Sequence, residues 1–75
     1  MKKTNLNKLA QAKEVLQKVR ELVTAIAVQE TDAFDSKSER WQESDAGCEA
    51  EEQCDLLNEA VEGLEQACDA IEELV

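Results

Sequence analysis

Histidine and proline are absent from this 75-residue sequence, and glycine and aromatic residues occur only twice each. Without histidine, acid–base catalysis by imidazole and His-ligated metal sites are excluded. The shortage of proline and glycine, together with an apolar set made mostly of Leu, Ala and Val, argues against a β-sandwich. A chain of this length forms one domain, residues 1–75, with a small hydrophobic core.

Positive charge is also scarce, since 8 basic residues stand against 18 acidic ones and the net charge is −10. A surface of this charge repels the phosphates of nucleic acids and membranes, so we expect neither to bind directly. The longest uncharged run, residues 22–29, is far shorter than the roughly 20 apolar residues of a membrane span. The basic start, residues 1–3, is not followed by the apolar region of a signal peptide. We therefore expect a cytoplasmic protein.

Three cysteines, an odd number, all fall in the second half of the chain. Cys54 and Cys68 are about 21 Å apart if they share one helix, too far for a disulfide, and reduced thiols in a cytoplasm are expected. The gap between Cys48 and Cys54 does not match structural zinc sites. A twelve-residue acidic stretch, 32–43, has the length of a calcium loop but carries Phe and Lys where oxygen and glycine are needed. We expect a non-enzyme without catalytic residues, metals or cofactors.

Two stretches of apolar residues recur at alternating steps of three and four, the spacing of a coiled-coil seam. The first comprises Leu9, Ala12, Leu16, Val19, Val23 and Ile26, and the second Ala50, Cys54, Leu57, Val61, Leu64, Cys68, Ile71 and Val75. They predict helix 1 over about 4–32, a polar connector over about 33–44 and helix 2 over about 45–74. Thr4 and Ser44 are the predicted N-caps, and Ser36 or Ser38 the start of a short helical turn. The fold class is therefore all-α, an antiparallel two-helix hairpin.

The two seams match each other in a register centred near Ser38, which runs from Leu9 opposite Cys68 to Ile26 opposite Ala50. In that register Lys13 lies near Glu65. Residues 1–29 carry six bases and two acids, whereas residues 41–75 carry twelve acids and no base. This asymmetry favours helix 1 against helix 2 over helix 2 against itself, although each exposed ion pair contributes only a few tenths of a kcal/mol, roughly.

Helix 2 carries a second seam that a single hairpin leaves uncovered. Its members are Leu56, Ala60, Gly63, Ala67, Ala70 and Leu74. A weaker equivalent on helix 1 consists of Val15, Leu22 and Ala25. Two packed helices provide little core to offset chain entropy, so we expect a homodimer that forms a four-helix bundle. The alternative is that a helix of another protein docks on this seam.

Helix 2 also presents a negative strip without intervening bases. Its residues are Glu51, Glu52, Asp55, Glu59, Glu62, Asp69 and Glu73. One interpretation is a solvated face that keeps a small protein soluble. The other is mimicry, in which regularly spaced carboxylates occupy a groove on a basic, nucleic-acid-binding protein.

Both aromatic residues, Phe34 and Trp41, fall in the predicted connector. We expect them to close one end of the thin core as a plug. The alternative is that they form an exposed anchor for a partner, because tryptophan is enriched among binding hot spots.

The connector sequence from Phe34 to Gly47, followed by the heptads of residues 57–64, resembles small acidic helical-hairpin proteins of bacteriophages and prophages. These proteins share a basic-to-neutral first helix and an acidic second helix, and most have no assigned activity. The resemblance implies a phage or mobile-element origin and a bacterial cytoplasm. It leaves two hypotheses: an accessory protein that inhibits a host nucleic-acid-handling or defence protein through its acidic face, or a structural module that oligomerises or brackets a partner helix.

Overall fold

The computed structural model describes all 75 residues and contains three helices and no strand. Helix α1 spans Lys3–Asp35, α2 spans Glu39–Gln42 and α3 spans Asp45–Leu74. Helices α1 and α3 pack side by side into a rod of 57 × 15 × 14 Å. The all-α prediction is confirmed, and α1 continues three residues beyond the predicted end at residue 32.

Two of the three helices have an N-cap residue whose side chain accepts a backbone hydrogen bond. The Ser44 hydroxyl accepts a hydrogen bond from the Gly47 amide at 3.2 Å and so caps α3 as predicted. Ser38 caps α2 in the same way by accepting from the Trp41 amide at 3.2 Å. The prediction for Thr4 is wrong, because α1 begins one residue earlier and its N-cap, Lys2, makes no side-chain hydrogen bond.

The side of α1 that packs against α3 includes Leu9, Leu16 and Val23 of the predicted seam and differs from it at the other three positions. Its buried and half-buried residues are Leu6, Leu9, Lys13, Leu16, Arg20, Val23, Ala27, Thr31 and Phe34. These residues keep the heptad spacing, but two of the positions are basic. The predicted seam members Ala12, Val19 and Ile26 lie outside this interface and are exposed. The second predicted seam is right from Ala50 to Ile71, whereas Val75 at its end is exposed.

The register between the two long helices also differs from the prediction. Lys13 pairs with Glu72 at 3.4 Å, one heptad beyond the expected Glu65, and this is the single ion pair in the structure. Nearer the connector, Ile26 and Leu57 line one groove. The predicted register placed Ile26 opposite Ala50, so this contact is also shifted by one heptad. The longer α1 accounts for part of the shift, since it ends at Asp35, three residues later than predicted, and moves the turn towards the C-terminus.

A close approach of α3 to the connector fixes the turn. A Cβ atom added to Gly47 would lie within 2.6 Å of the carbonyl carbon of Gln42 and would also clash with the Trp41 carbonyl oxygen. The Gln42 side-chain amide donates to the carbonyl oxygens of Phe34 at 3.0 Å and Lys37 at 3.2 Å. Ser44 donates its hydroxyl hydrogen to the Trp41 carbonyl. These bonds join the end of α1, α2 and the start of α3 into one unit.

The hairpin has a very small buried core. Only Ala27, Gly47 and Cys68 are buried. A compact monomer of this mass exposes about 4,600 Å² by the scaling of surface with mass, whereas the hairpin exposes 5798 Å². The excess of about 1,200 Å² reflects a two-helix rod without a third layer to cover it.

Candidate functional site

An apolar face runs along one side of the hairpin. On α1 it consists of Val15, Val19, Leu22 and Ile26, and on α3 of Leu56, Ala60, Gly63, Ala67, Ala70 and Leu74. The residues of each helix follow heptad spacing, so each set lies along one stripe. Ile26 and Leu56 line the same groove, which shows that the two stripes lie on the same side of the hairpin.

The apolar face is accessible to a partner. Leu22 and Leu56 are each 63% exposed, and Val19 and Ile26 are 39% and 41% exposed. Gly63 faces open space, because an added Cβ would meet no atom within 4 Å. Most members of the predicted oligomer seam are exposed, and Ala67 is half-buried.

Sequence reasoning missed the α1 half of this face. It assigned Val19 and Ile26 to the contact with α3 and treated Val15 and Leu22 as a weak stripe. The four residues in fact follow one another at steps of four, three and four, and that spacing was visible in the sequence. Because Lys13 and Arg20 are basic, the prediction replaced them with neighbouring apolar residues such as Ala12 and Val19.

The acidic strip of α3 is solvent-exposed. Each of its members, Glu51, Glu52, Asp55, Glu59, Glu62, Asp69 and Glu73, is exposed, and none forms an ion pair within the chain. The helix itself contains no base. These carboxylates are therefore free to attract a cationic partner, although the same exposure is expected of a face that only keeps the protein soluble. The functional role of the strip stays a prediction.

The two aromatic residues meet at the connector end of the rod. Phe34 lies in the last turn of α1 rather than in the connector, and Trp41 lies in α2. Their ring centroids are 6.2 Å apart at 62°, an edge-to-face contact. The Lys37 ammonium stands 5.4 Å from the Trp41 ring centroid, within the range of a cation–π contact. Both rings are half-buried, a geometry compatible with the plug and with the anchor.

Metal-ligating and thiol groups are scattered along the rod. No group of three or more Cys, Asp or Glu side chains is arranged to hold a metal ion. Cys48 is exposed, Cys54 is half-buried and Cys68 is buried, and all three are free thiols. Cys54 and Cys68 lie in the α1–α3 contact, where cysteine packs as a small apolar side chain.

None of the helices has the length and apolar character that a membrane crossing requires. No protein-family model matches the chain, and comparisons with curated proteins and with solved structures find no significant similarity. The resemblance to phage hairpin proteins therefore stays an expectation. What the chain offers a partner is its apolar face and its acidic strip.

Proposed function

We propose that this protein is a non-enzymatic interaction module that assembles through its helices, in the first instance with itself as a homodimeric four-helix bundle. The observation that carries this proposal is the exposed apolar face, which includes Leu22 and Leu56 and lies on one side of a rod with almost no interior. Contiguous apolar surface of this kind marks interaction sites in soluble proteins. Covering it would provide the core that two helices lack.

Placing a charge in the small-residue stripe tests this proposal. We expect replacement of Ala60 and Ala67 by glutamate to abolish self-association, because the new carboxylates would be buried without partners. Light scattering at matched concentrations measures the mass of each protein, and circular dichroism establishes that the variant stays helical. Unchanged association of a helical variant would refute the role of the stripe.

The exposed acidic strip supports a second proposal. In a bundle that buries the apolar face, the outward-facing carboxylates of both copies remain available to a basic protein. We propose that such a partner is a nucleic-acid-handling or defence protein of a bacterial host, inhibited by occupation of its phosphate-binding groove, as expected of an accessory protein of phage type. The regular spacing of Asp55, Glu62 and Asp69, one heptad apart, supports this mode of binding.

Neutralising carboxylates of the acidic strip distinguishes a strip that binds a partner from one that only keeps the protein soluble. Substituting Asp55→Asn, Glu62→Gln and Asp69→Asn should release a basic partner captured from bacterial lysate, and raised salt should release it from the unaltered chain. The control removes the same number of charges from exposed acids of α1, by Glu14→Gln, Glu21→Gln and Asp32→Asn, and should leave capture intact. Equal loss with both sets of variants would point to net charge alone and contradict a specific acidic site.

A further inference from the structure

From the hairpin geometry we infer how the two copies pair: α1 of each copy lies antiparallel on α3 of the other, along the apolar face. This inference rests on the proposed self-association and names the partner of that face as a second copy of this chain. Two copies related by a two-fold axis can bring their apolar faces together in only two ways. Either α1 of each copy lies on α3 of the other, or α1 lies on α1 and α3 on α3. Side-chain size and charge distinguish these two arrangements, and the exposed area favours a second copy over a short peptide.

Side-chain size favours α1 on α3. The α1 stripe is made of Val, Leu and Ile, whereas the middle of the α3 stripe is Ala60, Gly63, Ala67 and Ala70. The ion pair between Lys13 and Glu72 sets the level of one helix against the other. At that register Leu22 lies level with the region between Ala60 and Gly63. In the four layers from Val15 to Ile26, large side chains of one copy then meet small ones of the other, which keeps the spacing between helices even.

Charge favours the same arrangement. Between Lys3 and Arg20, α1 carries five bases and one acid, while α3 has acids and no base. Lys8 and Lys18 lie on or beside the α1 stripe and are exposed. In the crossed arrangement Lys8 approaches Glu73 of the other copy, at the edge of the α3 stripe. The alternative would place two α3 helices together with only like charges at their edges, which opposes association.

The available area is sufficient. The hairpin exposes about 1,200 Å² more than a compact monomer of its mass, and a standard interface buries about 800 Å² on each partner. The excess is therefore large enough to accommodate a standard interface with a second copy. A short peptide in the groove beside Ile26 and Leu56 would leave most of the stripe uncovered.

Zero-length carbodiimide cross-linking tests the pairing with the native side chains. Equal amounts of unlabelled and ¹⁵N-labelled chain are mixed and cross-linked, and mass spectrometry identifies links that join one copy to the other. We expect links from Lys8 to acids beside the α3 stripe, such as Glu73. Inter-copy links confined to α1, such as Lys8 to Glu30, which lies beside Ile26 on the apolar face, would overturn the crossed arrangement and leave self-association standing. A monomer in the same solution, detected by sedimentation, would overturn both.

Two single substitutions on α1 provide a matched control. Leu22 is 63% exposed on the apolar face, and Val28 is 54% exposed on the opposite side, beside the groove that contains Thr24 and Asn58. Leu22→Glu should raise the dimer dissociation constant by about 100-fold or more, since it buries an unpaired charge. Val28→Glu should leave the constant within about threefold, as for most surface changes. Equal effects of the two substitutions would contradict the assignment of the face.

Discussion

Substitution by alanine should have opposite effects on stability at the two glycines of α3. Gly47 and Gly63 both have negative φ, so space around the new methyl group decides the outcome. At Gly47 a Cβ would clash with the carbonyl groups of Trp41 and Gln42, which are backbone atoms and cannot rotate away. At Gly63 it would meet nothing within 4 Å in the hairpin.

The magnitudes follow from helix propensity and overpacking. Alanine is favoured over glycine by about 1 kcal/mol inside a helix, and relief of a steric clash in a packed site typically costs about 1–3 kcal/mol. Gly47→Ala should therefore destabilise the protein by about 1–2 kcal/mol, since the clash exceeds the gain near a helix start. Gly63→Ala should stabilise the hairpin by about 0.5–1 kcal/mol.

Urea unfolding followed by circular dichroism measures both free energies. The concentration must be matched, because association adds to apparent stability. If Gly47→Ala is as stable as the parent, the close packing of α3 on the connector is wrong. If Gly63→Ala stabilises the fold but weakens association, the small-residue stripe is in contact with a second copy.

Three further predictions follow from single side chains. Trp41→Ala should lower the free energy of unfolding by about 2 kcal/mol in thermal or urea melts, half the loss for a fully buried ring. An unchanged midpoint together with lost partner binding would favour the anchor over the plug. Arg20→Leu should stabilise the hairpin by about 1 kcal/mol in urea unfolding, because Arg20 is half-buried in the α1–α3 contact without an ion pair; reduced stability would contradict that placement. Towards a thiol reagent, Cys48 should react at once and Cys68 only on unfolding, and equal rates would contradict the packing of α3 on α1.

The helical class and the inner seam of α3 could be predicted because every seam position of α3 from Ala50 to Ile71 carries an apolar residue. The cap at Ser44 was predictable because a hydroxyl precedes the acidic first turn of α3. Local pattern was sufficient for these features, since each depends on one helix alone.

Half of the α1 seam, and the register, could not be predicted from apolar spacing alone. Val19 and Ile26 belong to an apolar stripe of equal regularity, and only packing against α3 shows which stripe faces inward. Lys13 takes an inner position because its long aliphatic stem packs while its ammonium reaches Glu72. The register depended in part on where α1 ends, and boundaries are the least certain feature of a sequence-based prediction.

Sedimentation equilibrium of the unaltered chain across a range of micromolar concentrations tests the central claim most directly. Self-association through the apolar face predicts a mass approaching twice the 8.4 kDa of one chain, with dissociation on dilution. A folded, helical species that stays at 8.4 kDa across the whole range would contradict the account.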